Sequence, residues 1–455
     1  MNNNKSVDVQ EFIDKQPLGR FQIMVTCLCF LAVAIDGIDL GLAAYIAPSI
    51  REEWGLSASE LAPIFVAGLL GMMLGSFLFG QLADRYGRRP ILMVTVALFG
   101  GATLLALFAD NVPELSVLRF IAGLGIGGAT PAAATLTAEY APARSRITMI
   151  TIMLCGNSMG YALGGVIASQ VIERFGWHAM LIVAGVAPLL LLPALWLWLP
   201  ESMRYLALRR PNDQQALLKL ARQFNTDHAI DTINFHTIEK PKSTSPVREI
   251  LIKPYLRGTA LIWTTSFMAL SVIYLMSSWL PVIVTSSGGS VKSGTLLAAL
   301  SAIGATTGGV VLGRLMQWRR PSRVLGLAFM AASVAIFTIG HTIGSIALVA
   351  PFIFIAGFCV SGTMVGVNGL AATYYPTPSR ATGVSWASAI GRIGSMLGSA
   401  AGGYLLSSGL GYATLFMCVA LPALIAGFCM LSMPSSSTSA DCARSTPMKT
   451  ERSTA

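Results

Sequence analysis

Twelve apolar stretches, each about as long as the roughly 20 residues a helix needs to cross a bilayer, organise this chain. They run over 21–48, 59–81, 91–110, 114–138, 147–170 and 178–199, then 256–282, 292–316, 323–341, 345–372, 381–406 and 411–433. Backbone in hydrocarbon has no water to bond, so a spanning segment must be a helix or part of a closed barrel. Runs of this length predict helices, and an all-α membrane protein. Composition agrees: the 455 residues are 54% hydrophobic and 11% charged, against about 25% charged in a soluble domain. A cytosolic enzyme is excluded on that ground. The first run follows a polar, mixed-charge segment (Asp8, Glu11, Asp14, Lys15) without a small-residue cleavage pattern, and reads as a retained helix, not a signal peptide.

The net charge of +10 would suggest nucleic acid in a soluble chain. With the N-terminus placed in the cytoplasm, however, 26 of the 31 Lys and Arg fall on the cytoplasmic side, ten of them between Arg204 and Arg257. Three (Arg51, Arg174, Lys292) fall outside, and Arg119 and Arg392 lie within spans. This is the positive-inside pattern: it puts both termini in the cytoplasm and leaves no nucleic-acid reading. Six of the seven cysteines lie in apolar spans and the seventh, Cys442, in the tail; none has metal-ligand spacing.

The polar stretch 200–255 divides the spans six and six. The domains expected are a cytoplasmic tail 1–20, a bundle 21–199, a cytoplasmic linker 200–255 with short amphipathic helices, a bundle 256–433 and a disordered tail 434–455. The halves repeat. A shift of 234 carries Tyr140, Pro142, Arg146, Gly160 and Gly164 onto Tyr374, Pro376, Arg380, Gly394 and Gly398. Parallel six-helix repeats build one large class of transporters, with substrate bound near mid-membrane between the halves.

Three motifs carry a family resemblance. Gly80-Gln-Leu-Ala-Asp84-Arg85-Tyr-Gly87-Arg88-Arg89, Arg119-x-x-x-Gly123-x-Gly125 and Pro200-Glu201-Ser202-x-Arg204 resemble signatures of the major facilitator superfamily. Asp36-Gly37-Ile38-Asp39, Arg380-Ala-Thr-Gly383-Val-Ser-Trp386 and Gly391-Arg392-Ile-Gly394 resemble its aromatic acid:proton symporters. The segment Ser6 to Leu18 is similar to the carriers of 4-hydroxybenzoate and protocatechuate. One departure is Gln317, where the second copy of the first motif usually holds an acid. The resemblance implies the twelve-helix major facilitator fold, and a gate at the cytoplasmic mouth formed by Asp84, Arg85, Arg88 and Glu139. Gly160 is followed by Tyr161, not by the proline usual in drug antiporters, which points to uptake.

Charge inside a bilayer is costly, about 2.5–3.5 kcal/mol per residue on insertion scales. Asp36 and Asp39, three apart, share a helix face, and two close carboxylates resist joint ionisation, which favours a bound proton. They are the expected proton-coupling pair. Arg119, at comparable depth, can pair with either or bind an anion when they are protonated. Between Glu249 and Asp441 there is no Asp or Glu, yet Arg392 lies roughly 18 Å beyond Arg380 at 1.5 Å per helical residue. It needs an aspartate across the interface or an anion from solution, and guanidinium binds carboxylate bidentately. Arg392 is therefore expected to hold the substrate carboxylate, with Phe267, Tyr274 and Trp386, alongside Trp263, around the ring.

No metal, hydrolase or nucleotide motif is present, so no cofactor beyond the coupling proton is expected. The expected function is import of an aromatic carboxylate with protons by a monomeric carrier in a bacterial inner membrane. A carrier of another organic anion, such as a dicarboxylate, or an aromatic-acid chemosensor with little flux, are the alternatives.

Overall fold

The computed structural model describes residues 5–209, 213–224, 233–237, 250–251, 255–375 and 379–433. Pro376, Cys442 and the tail 434–455 lie outside these. The chain begins with strand β1 (Lys5–Asp8) and helix α1 (Val9–Lys15), followed by α2 (Arg20–Glu53), α3 (Ala58–Tyr86), α4 (Arg88–Leu105), α5 (Val112–Tyr140) and α6 (Arg146–Trp198). The linker region holds α7 (Met203–Arg209), α8 (Gln214–Phe224) and β2 (Ile233–His236). Then come α9 (Leu256–Ser286), α10 (Val291–Trp318), α11 (Pro321–Thr342), α12 (Ile346–Tyr374), α13 (Arg380–Ser407) and α14 (Tyr412–Leu431).

Ten of the described helices are long and apolar enough to cross a membrane. One of them, α6, is two spans in one 53-residue helix, broken at Gly176 (φ 78°, ψ 173°). Glycine alone enters that left-handed region without strain, so the turn between the fifth and sixth spans shrinks to one residue. The helix α13, richer in Gly, Ser and Arg, supplies the eleventh span. Together these make the twelve expected, and α12 is further interrupted by a π turn at Gly357–Ser361.

The repeat seen in sequence is a repeat of packing. On α6, Gly160 lies so close to the Ala34 carbonyl of α2 that no Cβ fits, and Asn157 meets Gly37 in the same way. On α13, Gly394 and Gly398 press on the Phe267 and Ser271 carbonyls of α9. Without a hydrophobic drive between helices in lipid, such backbone contact provides the packing.

The two halves share one apolar core at the end away from the linker, where α2, α3 and α6 meet α9 and α10. Phe65 is edge-on to Trp279 at 5.1 Å, and Tyr161 donates to the Ser277 carbonyl at 3.0 Å. Further out, Arg51 donates to Ser286 at 2.7 Å and Lys292 pairs with Glu173 at 2.9 Å. At the linker end the halves have separate cores. The two halves thus meet closely at the far end and keep separate cores at the linker end.

The segment before α2 is not a plain tail. β1 pairs in parallel with β2, the one sheet among the described residues, and Phe12 packs edge-on against Phe224 and Phe235. Asp14 pairs with Arg146. This clasp belongs to the N-terminal half and adds four-residue strands to an otherwise helical fold.

Replacing Gly160 by Val should cost about 3 kcal/mol or more through forced helix separation. Gly101→Ala, where a Cβ meets nothing within 4 Å, should stay within about 1 kcal/mol of the parent. Thermal unfolding of the detergent-solubilised variants measures both.

Candidate substrate and proton site

The acidic pair of α2 is buried, Asp36 at 1% and Asp39 at 2% exposure, and Arg119 of α5 at 4%. The arginine reaches Asp39: Nη1 lies 3.5 Å from Oδ2. That direct contact is long for a charged pair, and a hydroxyl closes the arrangement. Thr103 of α4 donates to Asp39 Oδ1 at 2.6 Å and accepts from Arg119 Nη2 at 2.7 Å. Asp36 has a different setting. Its Oδ2 accepts from Thr130 at 2.7 Å, and its Oδ1 is sealed from solvent without a hydrogen-bond partner among the described residues. The two carboxylates sit three residues apart yet have separate jobs: one is tied into an ion pair, the other has a free oxygen.

Between the halves lies a cavity of about 240 Å³. The N-terminal half contributes Asp39, Arg119, Asn157 and Tyr161, and the C-terminal half Tyr274, Ser277, Ser301 and Ser361, among apolar neighbours such as Met72 and Ile273. Of the four aromatic candidates only Tyr274 is on this wall. Phe267 is held against α13 by its backbone contact with Gly394. Trp386 is 42% exposed and stacks on Trp263 at 5.8 Å. The expected ring cage of Phe267, Tyr274 and Trp386 is therefore not assembled in this conformation, because the stretch containing Trp263 and Trp386 lies nearer the linker end than the cavity.

Arg392 is half-buried on α13 and forms no ion pair among the described residues. It is not on the wall of the cavity. Its helix packs against α9, which carries Tyr274 to the cavity wall.

The residues at the linker end pair within the N-terminal half. Arg88 binds Asp84 at 3.1 Å and Glu139 at 3.5 Å, and Arg85 lies over the Tyr86 ring at 5.4 Å. Glu201 completes them: its Oε1 accepts from the backbone N–H groups of Arg88 at 3.0 Å and Arg89 at 3.4 Å. A carboxylate at the start of α4 suits the positive end of that helix. Glu201 was visible in the third motif, but its partner was not. Thr103 and Thr130 carried no signal at all, since helical threonines ordinarily bond back to their own helix.

Comparison with known proteins resolves the family. The model of the Major Facilitator Superfamily matches residues 29–357 and 319–447. The chain belongs to the major facilitator superfamily. A 4-hydroxybenzoate transporter, PcaK of Pseudomonas putida, is 40% identical over 93% of this chain and 94% of that protein. A gallate transporter of the same species is 39% identical, covering 94% and 95%. Among solved structures, the inward-open xylose transporter XylE of E. coli superposes with a TM-score of 0.70 at 17% identity, covering 91% and 96%. Membership makes the chain a multi-pass membrane transporter, not an enzyme. The XylE likeness concerns the fold alone.

Removing one member of a buried ion pair costs about 3–5 kcal/mol, whereas removing both is far milder. Arg119→Met should therefore lower thermal stability sharply, and Asp39→Leu combined with Arg119→Met should recover much of the loss. Melting curves of the two single variants and the double variant check this.

Proposed function

We propose that this transporter imports a hydroxylated aromatic carboxylate, of the 4-hydroxybenzoate, protocatechuate or gallate kind, together with protons across a bacterial inner membrane. One observation carries the reading: the cavity between the halves sets buried Asp39 and Arg119 opposite Tyr274, Ser277, Ser301 and Ser361, in a chain similar over nearly its whole length to carriers of such acids. Both termini and the linker face the cytoplasm, as the Lys and Arg distribution requires, so the linker end is the inner one.

In this scheme Asp36 carries the proton. An oxygen sealed from water with no donor is where a proton can be held, and burying a bare carboxylate without one is costly. Asp39, tied to Thr103 and Arg119, fixes the helix that presents Asp36. Arg392 takes the substrate carboxylate as it enters, and Tyr274 lines the cavity beyond it. Arg88, Asp84 and Glu139, now paired within the N-terminal half, are available to close the inner end when the outer end opens. The 31–40% identity of aromatic-acid carriers over nearly the whole chain supports a single-ring substrate, and a cavity of about 240 Å³ is small for a binding site.

Cells expressing the chain should accumulate labelled 4-hydroxybenzoate, and a protonophore should abolish the accumulation. Asp36→Asn should lose accumulation at least about tenfold while still exchanging internal for external substrate, and Arg392→Ala should raise the apparent KM about tenfold or more. Full proton-driven accumulation by Asp36→Asn would refute the assignment of the proton, and competition by a dicarboxylate would refute that of the substrate.

A further inference from the structure

A second, smaller pocket opens from the central cavity into the C-terminal half. Its volume is about 20 Å³, room for one water-sized group and no more. Its mouth is shared with the main cavity through Ser277 of α9, Ser301 of α10 and Ser361 of α12. Its floor includes Gly357 and Val360, both in the π turn of α12. Such turns insert one residue into a helix and recur at functional sites. Here the turn lets Gly357 approach the Ser301 carbonyl closely and ends at Ser361.

The three serines differ from most hydroxyls of their helices, although Thr265 and Ser266 of α9 are likewise without a partner among the described residues. A hydroxyl on a membrane helix ordinarily bonds back to a carbonyl three or four residues earlier. Ser271 on α9 does so to Met268 at 2.8 Å, Thr306 on α10 to Ala302 at 3.1 Å, and Thr363 on α12 to Val360 at 2.6 Å. Ser277, Ser301 and Ser361 do not: their hydroxyls have no hydrogen-bond partner among the described residues, and all three are half-buried on the cavity wall. Three helices therefore present unused donor–acceptor groups around a hole the size of one oxygen.

We infer that this side pocket receives a ring hydroxyl of the substrate, remote from its carboxylate, and that Ser277, Ser301 and Ser361 determine specificity by bonding it. The inference rests on the aromatic-acid reading above and sharpens it. Ser277 is one helical turn beyond Tyr274 on α9, so a ring whose carboxylate lies near Tyr274 and Arg392 extends its far edge toward the pocket. A hydroxyl beside the carboxylate points away from it. A ring without a hydroxyl leaves the serine groups and the pocket unfilled, the situation in which a polar site rejects an analogue most strongly.

The test is uptake of labelled 4-hydroxybenzoate by the full chain in cells, with benzoate and 2-hydroxybenzoate as competitors. The parent should prefer 4-hydroxybenzoate over each competitor by about tenfold or more. Ser301→Ala and Ser361→Ala should each shrink that preference several-fold, and together about tenfold, the worth of a typical hydrogen bond or two. Ser361→Val, which fills the pocket mouth, should weaken 4-hydroxybenzoate more than benzoate. Equal losses for all three acids in every variant would mean that the pocket holds only a structural water, and would overturn the inference. So would a parent that takes benzoate and 4-hydroxybenzoate alike, with the aromatic-acid function intact. A parent that accumulates none of the three acids would instead remove the function on which the inference rests.

Discussion

An arginine buried among membrane helices dictates much of what surrounds it. Arg119 cannot shed its charge, so α5 can be placed only where something answers that charge. Asp39 supplies the opposite charge from α2, and Thr103 supplies, from α4, an oxygen that both ions share. Three helices are locked at one depth by two side chains and a hydroxyl. The geometry that this produces also sets Asp36, one turn earlier, against Thr130 of α5 with an oxygen to spare. The structural ion pair and the free carboxylate oxygen are two consequences of one placement.

The elements readable from sequence were those governed by long-range composition. Span length, the six-and-six division, the internal repeat and the depth of each charge follow from hydropathy and counting. Three things escaped for identifiable reasons. The turn at Gly176 replaced an expected loop because glycine permits a reversal of backbone sense within a continuous apolar run. The pairing of β1 with β2 joins four-residue segments more than two hundred residues apart, and the alternation of Ile233-Asn-Phe-His236 is too short to betray it. The partners Thr103 and Thr130 lie 64 and 94 positions from their acids, and a threonine in a membrane helix has a local use that hides a distant one. Of the aromatic candidates, Tyr274 lines the cavity and the others do not. Phe267 and Tyr274 do share a helix, but Gly394 draws Phe267 into the α9–α13 contact, so a shared face did not mean a shared cavity.

The far and linker ends are built from different materials. At the far end the halves meet through interdigitated apolar side chains, with Tyr161 and the Lys292–Glu173 pair laid across the seam. At the linker end charges dominate, and in this conformation Arg88 is satisfied by Asp84 and Glu139 of its own half. An apolar seal gains from excluding water, whereas an ionic one can exchange partners without leaving a charge bare. Glu201 accepts from the backbone N–H groups of Arg88 and Arg89 at the start of α4. The missing acid at Gln317 means that the C-terminal half cannot mirror these contacts, so the burden falls on the N-terminal copy.

That asymmetry extends to the centre of the molecule. No acid occurs between Glu249 and Asp441, so a proton carried on a carboxylate within the membrane must be carried by the N-terminal half. The C-terminal half holds Arg392 and the three unpartnered serine hydroxyls, which are groups that recognise an anion and a hydroxyl. Coupling therefore cannot be a property of either bundle alone. In the proposed scheme it passes across the seam, where Tyr274 lines one cavity with Asp39 and Arg119. The two similar bundles thus differ in what they hold: one has the buried acids together with Arg119, the other has Arg392 and no acid, and the cavity lies where they face each other.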